Sequence, residues 1–283
     1  MRKTWLICIL FVAFATLGMA QNDADKEFDP APTDGVTSRA TGGPDIYGYT
    51  WDDGVAFDWV DISTPSRAVT FLGDDELSAD LPIGFSFDFY GQMKTTLKVS
   101  SNGFLQLGIG TSTDLSNDCP LPNTNSDGDI IGVHWDDLDP GDSNAPVYYE
   151  TFAAGTAPYG GYAGACMVIT FENFDHWPGS TGGTAGTFQA ILFDNGNILI
   201  QFLDPGVEAG SSATTGIENA DETDGLTYAC DTADYISAQL AVMFYNPNAA
   251  SASEVPAMST WGLIAFVIGL LGIAIFLRRR TAA

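Results

Sequence analysis

Residues 188–202 read FQAILFDNGNILIQF, the clearest β-hairpin pattern in the chain. Asn195-Gly196 lies at its centre, a dipeptide that favours tight β-hairpin turns because both residue types tolerate positive φ angles. After the turn, Ile198, Ile200 and Phe202 occupy alternate positions and therefore share one face of an extended strand. The stretch predicts a hairpin of two strands, Thr187–Phe193 and Ile198–Phe202.

Short apolar runs also recur on both sides of the hairpin, about 10–15 residues apart and separated by Gly, Asn, Asp and Pro. A second Asn-Gly pair, Asn102-Gly103, separates the predicted strands Thr96–Val99 and Phe104–Leu107. Because no window has a convincing helical period, we expect an all-β domain over residues 45–247, an antiparallel β-sandwich of jelly-roll-like type. Further strands are predicted at Ala68–Leu72, Ser86–Tyr90, Val147–Phe152, Cys166–Phe171 and Gln239–Tyr245.

Four blocks in this order resemble a known family. They are LPIGFSFDFYGQMKTTLKVSSNGFLQLG (81–108), IIGVHWDDLDP (130–140), the hairpin stretch (188–202) and TTGIEN (214–219). Together they are similar to a β-sandwich module of bacterial secreted and surface proteins, and to the nidogen-type extracellular domain. The resemblance implies an extracellular interaction domain and supplies no catalytic residues.

The charge of the chain is unevenly distributed. The formal net charge is −26. Residues 21–254 hold five basic and 36 acidic residues, which gives this segment a formal charge of −31. Such a body repels phosphate backbones, so nucleic acid is excluded as a partner.

The N-terminus has the three parts of a secretory signal peptide. Residues 1–20 contain Arg2-Lys3, the apolar run Leu6–Leu17 and a small-residue cleavage site, Gly18-Met19-Ala20. An uncleaved membrane anchor is the alternative, but the apolar run is short for a bilayer. Residues 21–44 are expected to form a flexible lead.

The C-terminus predicts a transmembrane helix. Residues 261–277 are uncharged, and Arg278, Arg279 and Arg280 follow at once. The arginines indicate a cytoplasmic end and an external body. A buried core helix is the alternative. The terminal position of the segment and the three arginines argue against it. Residues 248–254 read as a small-residue linker.

The segment 255–283 resembles an IPTL-CTERM protein-sorting tail, a relative of the PEP-CTERM signals of Gram-negative bacteria. The family pattern is Ile-Pro-Thr-Leu-Ser-x-Trp-Gly, and the chain keeps Pro256, Ser259, Trp261 and Gly262. It departs at Val255, Ala257 and Met258, with Thr260 at the variable position. The resemblance implies an exosortase-type sorting protease as a partner and an inner-membrane-anchored precursor; whether the tail is cut or remains an anchor stays open.

Three cysteines remain once Cys8 leaves with the signal peptide. Cys166 lies inside a predicted strand and reads as a buried free thiol, whereas Cys119 and Cys230 lie in polar segments. In an oxidising compartment we expect a Cys119–Cys230 disulfide. Intermolecular pairing is the alternative.

One stretch, residues 123–129, resembles the start of a calcium loop. Its oxygen donors alternate, and a glycine follows at the sixth position. The twelfth position is His134 rather than glutamate, so this is not an EF-hand, and a solvated turn is the alternative. No other cofactor is expected. The candidate calcium ligands are Asn123, Asn125, Asp127 and Asp129, and Asp136, Asp137, Asp139 and Asp142 lie close downstream.

The two histidines show no catalytic spacing. His134 is expected to be packed, and His176 is expected to lie exposed in a Gly-rich loop. We therefore predict an exported, non-catalytic structural or adhesive protein with an extracellular protein or glycan ligand, at the cell surface or released. A calcium-assisted carbohydrate-binding module is the first alternative and a secreted hydrolase the second. The candidate sugar-stacking residues are Trp135 and Trp177, with Tyr148, Tyr149, Tyr159 and Tyr162 as further members of the platform.

The sorting interpretation makes a measurable prediction. Because Pro256 keeps the motif extended outside the membrane, a protease can read it there, and we expect a mature form that ends between Val255 and Trp261. Mass spectrometry of the cell-associated and released protein measures that end. A chain that retains Arg280 in every fraction contradicts processing.

Overall fold

The computed structural model describes residues 40–64, 73–111, 113–124 and 128–249. Strands dominate this part of the chain, and the helical elements are one turn of α-helix, α1 (Pro140–Ser143), and one 3-10 turn, Gly179–Thr181. The strands are β1 (Thr41–Gly42), β2 (Thr50–Asp52), β3 (Leu81–Phe89), β4 (Gln92–Val99), β5 (Phe104–Gln106), β6 (Ile130–Trp135), β7 (Val147–Phe152), β8 (Cys166–Asp175), β9 (Thr184–Phe193), β10 (Ile198–Asp204), β11 (Thr214–Glu218), β12 (Gly225–Cys230) and β13 (Leu240–Tyr245).

The strands form two antiparallel sheets, which confirms the all-β prediction. One sheet has seven strands in the order β1-β2-β13-β10-β9-β8-β7. The other has six strands in the order β12-β11-β6-β5-β4-β3. Side chains from both sheets share one apolar core, as in a β-sandwich.

The predicted Asn-Gly hairpin is present as β9 and β10. Gln201 of β10 pairs with Gln189 of β9, and Phe202 pairs with Phe188. Of the four turn residues 194–197, Gly196 takes a positive φ of 87°. The second Asn-Gly hairpin is also present, since β4 pairs with β5.

Most of the other predicted strands are found, with shifts at their ends. The prediction Val147–Phe152 coincides with β7, and the predictions at 86–90, 166–171 and 239–245 fall on β3, β8 and β13. Strand β1 lies inside the segment 21–44 that was expected to be a flexible lead. The predicted strand Ala68–Leu72, the signal peptide, the sorting motif and the helix 261–277 lie outside the described residues. Among the residues described, no helix is long and apolar enough to cross a membrane.

Strands β8, β9 and β10 are buried on both faces. Their inward side chains, such as Ile169, Phe188 and Ile200, belong to the core between the sheets. Their outward side chains, such as Ile191 and Leu199, are covered by a segment that we call the strap, residues 55–62. This double burial explains why, outside the turn residues 194–197, the stretch 188–202 is apolar at every position except Gln189 and Gln201.

Two buried glutamines hold the strap against the sheet. Gln189 donates from Nε2 to the carbonyl of Val60 (2.8 Å) and accepts from the Val60 N–H (3.4 Å). Gln201 accepts from the N–H of Asp58 (2.8 Å) and donates to its carbonyl (3.0 Å). The two side chains are also linked, Nε2 of Gln201 to Oε1 of Gln189 at 3.3 Å. The glutamines therefore present to the strap the donors and acceptors that a neighbouring strand would present.

The outer face of the six-stranded sheet has its own cover. Phe104, Ile130 and Trp135 pack there against Leu121. The loop that carries Leu121 is joined to the end of β12 by the Cys119–Cys230 disulfide, with 5.4 Å between the Cα atoms. Cys166 is a buried free thiol. The disulfide thus fixes the loop over an apolar surface that would otherwise face water.

The glutamine pairing gives a stability prediction. Gln189→Leu removes the partners of the Val60 N–H and C=O, which remain buried between the strap and the sheet. We expect the free energy of unfolding to fall by about 2–3 kcal/mol although the new side chain is more apolar. Denaturant unfolding measures the change. Gln92→Leu, at an exposed position of β4, is the matched control and should change stability by less than about 0.5 kcal/mol; a Gln189→Leu protein as stable as this control contradicts the prediction.

A second prediction concerns the disulfide. Its loop spans 111 residues, and opening a loop of this size by the double substitution Cys119→Ser, Cys230→Ser should lower the free energy of unfolding by about 4–5 kcal/mol. A reductant should lower the stability of the wild type to that of the variant and leave the variant unchanged. Equal stability of the oxidised wild type and the variant contradicts the prediction.

Candidate functional site

Three connections meet at one end of the sandwich and bring together four polar side chains. Asp136 follows β6, His176 follows β8, and Glu208 and Ser212 lie between β10 and β11. Backbone hydrogen bonds hold the first two connections in register, from Asp139 N–H to the Asp175 carbonyl and from Trp177 N–H to the Asp137 carbonyl, both 2.9 Å. We call Asp136, His176, Glu208 and Ser212 the His176 cluster.

A backbone bulge lies at the end of β6, directly before Asp136. The N–H groups of Val133 and His134 both donate to the carbonyl of Gly103, at 3.1 and 3.0 Å. This shared acceptor is the mark of a β-bulge, in which one strand carries an extra residue. Gly103 is required there, because a Cβ would lie 2.1 Å from the His134 carbonyl oxygen. The bulge brings His134 against the rings of Phe188 and Phe202.

The distances in the His176 cluster are those of direct contact. His176 Nδ1 lies 3.2 Å from Asp136 Oδ2, and His176 Nε2 lies 3.9 Å from Glu208 Oε2. Ser212 donates from Oγ to Asp136 Oδ2 at 2.6 Å, and its Oγ is also in hydrogen-bond contact with Glu208 Oε2. Asp136 and His176 are buried and Glu208 is half-buried.

The surroundings shift the pKa values of these groups. Burial opposes a charged His176, but the hydrogen bond to Asp136 and the charges of Asp136 and Glu208 outweigh it and raise the pKa of the imidazole. Burial likewise opposes an ionised Asp136, but hydrogen bonds from His176 and Ser212 lower its pKa. His134 differs, because burial lowers its pKa to about 4 and keeps the ring neutral at neutral pH.

The geometry does not resemble that of a hydrolase triad. In such a triad the serine hydroxyl is hydrogen-bonded to the histidine that removes its proton. Here the hydrogen bonds of Ser212 go to Asp136 and Glu208. What the His176 cluster does provide is one imidazole and two carboxylates, whose ligand atoms lie within 4.8 Å of one another. That donor set can hold a metal ion.

A second group of acids consists of Asp74, Asp75 and Asp137, and Asp137 directly follows Asp136 of the first group in the sequence. Its carboxylate oxygens also lie within 4.8 Å of one another. Burial and then the charges of Asp75 and Asp74 raise the pKa of Asp137. The Asn102 amide donates to Asp75 at 2.9 Å. This group holds acids alone, and we assign it no function.

The candidate calcium ligands are only partly described. Asp129 is buried and forms an ion pair with Lys94 at 2.5 Å. The backbone N–H of Asn123 donates to Glu218 at 2.6 Å. Asn125 and Asp127 lie outside the described residues, so calcium at residues 123–129 stays a prediction.

The two tryptophans proposed for sugar stacking have opposite environments. Trp135 is fully buried, packs against Phe104 and donates its indole N–H to the Asp114 carbonyl at 3.1 Å. It has no face free for a sugar, which corrects the prediction for this residue. The bulge at Val133 and His134 breaks the strand alternation, so Trp135 lies with Ile130 on the outer face, under the disulfide-linked loop. Trp177 is 57% exposed and lies directly beside His176.

A shallow aromatic pocket lies on the outer face of the seven-stranded sheet. Its volume is about 430 Å³, and Tyr159 and Tyr162 line it with Asn195 and Asn197. Both tyrosine rings pack against Phe193. Two of the predicted platform residues therefore meet at one opening, whereas the tryptophans do not.

The sequence prediction missed the His176 cluster. The expectation that His176 is exposed is wrong, since the side chain is buried among residues that arrive from other strands. The Asp-rich run after β6 was named from the sequence as a source of oxygen ligands. That run contains Asp136, so it was the only sequence signal that fell on a residue of the cluster. Glu208 and Ser212 lie in a turn whose sequence, EAGSS, carries no comparable signal.

Comparisons with known proteins agree with this architecture. The model of a family described as NIDO related matches residues 48–255. A search of curated proteins and a search of solved structures each gave no match.

Proposed function

Since this chain belongs to the NIDO-related family, we propose that it is an exported cell-surface protein whose β-sandwich is a non-catalytic structural or adhesive module. The family supports an extracellular β-rich module. The Cys119–Cys230 disulfide fits the same compartment, because disulfides persist in oxidising surroundings.

The family match carries this proposal, because it covers every strand from β2 to β13. The surface charge is consistent with it. In the described ranges Lys94 and Lys98 are the basic residues, and they contact the acids Asp129 and Asp80. A surface with this excess of acid stays soluble outside the cell and repels nucleic acid.

Anchoring is the second part of the proposal. The IPTL-CTERM-like tail, residues 255–283, would hold the precursor in the inner membrane until an exosortase-type protease reads the motif. The arginines at 278–280 would remain cytoplasmic. The protein then acts at the cell surface or after release, on an extracellular protein or glycan.

A carbohydrate-binding module is the second candidate function. The observation that favours it is the pocket with Tyr159 and Tyr162, because aromatic rings supply apolar contact and amide side chains such as Asn195 supply hydrogen bonds. A serine hydrolase of the triad type is disfavoured, because Ser212 is hydrogen-bonded to carboxylates and not to an imidazole that would remove its proton.

Adhesion and glycan binding can be separated in one experiment. The full chain is produced in a Gram-negative host, surface exposure is measured by protease shaving of intact cells, and the cells are tested on immobilised extracellular proteins and on a glycan array. We expect the wild-type protein to be exposed at the surface and to mediate adhesion to protein. Both properties should persist in the double variant Tyr159→Ala, Tyr162→Ala. Loss of glycan binding in this variant, but not in Tyr235→Ala, would establish the carbohydrate alternative. A protein that stays inaccessible to protease contradicts the cell-surface proposal.

A further inference from the structure

We propose that Asp136, His176 and Glu208 form a binding site for a divalent metal ion of the zinc or manganese type. Nε2 of His176 and the carboxylate of Glu208 bind the ion, and Asp136 positions the imidazole. This inference is independent of the adhesive role, which needs no metal.

The first argument is the free nitrogen of His176. The side chain is only 6% exposed, yet Nε2 is buried without a hydrogen-bond partner. A buried polar atom without a partner is costly, and a ligand that binds this atom removes the cost. Nε2 faces Glu208 Oε2 across 3.9 Å, a gap in which an ion about 2.0–2.2 Å from each ligand atom fits.

The second argument is the orientation of the ring. Nδ1 of His176 is held by Asp136 at 3.2 Å. Metal-bound histidines almost always donate their second nitrogen to a carboxylate or carbonyl, which fixes the tautomer and aims the free nitrogen at the ion. Asp136 is itself held by its contacts with Ser212 and with the backbone N–H of Asp137, 2.8 Å away. The ring is therefore oriented for coordination before an ion arrives.

The third argument is a shortage of protons. Ser212 Oγ contacts both Asp136 Oδ2 and Glu208 Oε2. A hydroxyl has one proton to donate, so it satisfies one of the two carboxylates and places its lone pairs against the other. A cation beside Glu208 relieves this repulsion.

The fourth argument is charge. The two carboxylates of Asp136 and Glu208 have a formal charge of −2, and His176 can contribute at most +1, so the group has an excess of negative charge. The basic side chains within the described ranges, Lys94 and Lys98, are occupied with Asp129 and with Asp80 and the Gly110 carbonyl. A divalent ion supplies the missing positive charge.

The ligand types select the metal. Imidazole with carboxylates suits borderline ions such as zinc, whereas calcium takes six to eight oxygen ligands. The site also joins both layers of the sandwich, because Asp136 follows a strand of the six-stranded sheet and the other two residues follow strands of the seven-stranded sheet. Binding should therefore raise the thermal stability of the whole sandwich.

The test uses the exported full chain in detergent micelles, purified without a histidine tag and freed of metal with a chelator. Zinc affinity is measured by competition with a chromophoric chelator, and thermal unfolding is followed with and without zinc. We expect one zinc per chain, and a rise in melting temperature of about 5 °C at saturating zinc. Calcium at the same concentration should not produce this rise.

Variants assign the roles. Glu208→Gln should weaken zinc binding by more than tenfold and remove the thermal shift, and Asp136→Asn should weaken binding by about 10–100-fold through loss of ring orientation. Asp221→Asn, an exposed acid in another turn, is the matched control and should bind zinc as the wild type does. Equal zinc affinity in Glu208→Gln and Asp221→Asn would overturn the proposal.

A spectroscopic measurement on the wild type tests the same site in case the variants fail to fold. The chain has two histidines, so ¹⁵N-histidine labelling of the wild type gives two distinguishable rings. Zinc should shift Nε2 of His176 and leave His134 unchanged. A shift confined to His134, or no shift of either ring at saturating zinc, overturns the proposal without any substitution.

Discussion

The constraint on which this structure depends is the burial of β8, β9 and β10 on both faces. A strand in a two-layer sandwich normally keeps one face for solvent, but here the outward face of the hairpin carries the apolar side chains of Ile191 and Leu199 beside the two glutamines. The outward face must therefore be covered, and the chain covers it with the strap. Because the strap is a single extended segment, its backbone groups need partners, and Gln189 and Gln201 provide them from within the sheet.

The same requirement recurs on the opposite sheet with a different solution. There the outer apolar cluster around Trp135 lies under a loop, and a covalent bond rather than side-chain amides fixes this cover. The ends of the strands are consequently tied to connections that come from distant parts of the sequence. The His176 cluster lies where three such connections converge, and the arrangement of its donors is a result of this convergence.

Local patterns predicted the part of the fold that local physics controls. The Asn-Gly turn with alternating apolar residues was enough to predict the central hairpin, and β7 coincides with its predicted range. Burial of single polar residues could not be predicted in this way. Gly and Pro around His176 favour a solvent-exposed loop, but hydrogen bonds of its backbone neighbours to other segments draw the side chain inward.

Trp135 is a second residue whose burial could not be predicted from the local sequence. An aromatic residue at a strand end fits a binding platform and a core equally well from sequence, and the outcome was decided by a loop that follows β5 in the chain. The His176 cluster required contacts between residues 136, 176 and 208, and no pattern in a short window reports such contacts. The pairing of Cys119 with Cys230 could be predicted because both lie in polar segments, whereas Cys166 lies inside a predicted strand.

The strap also sets an order of assembly. Asp58 and Val60 precede their glutamine partners by 143 and 129 residues in the chain. Because a chain is synthesised from its N-terminus, the strap is made before the hairpin on which it rests, and its glutamine partners are absent until β9 and β10 have been made. Until it docks, the apolar outward face of the hairpin is open to other chains, and contacts between residues so far apart form slowly.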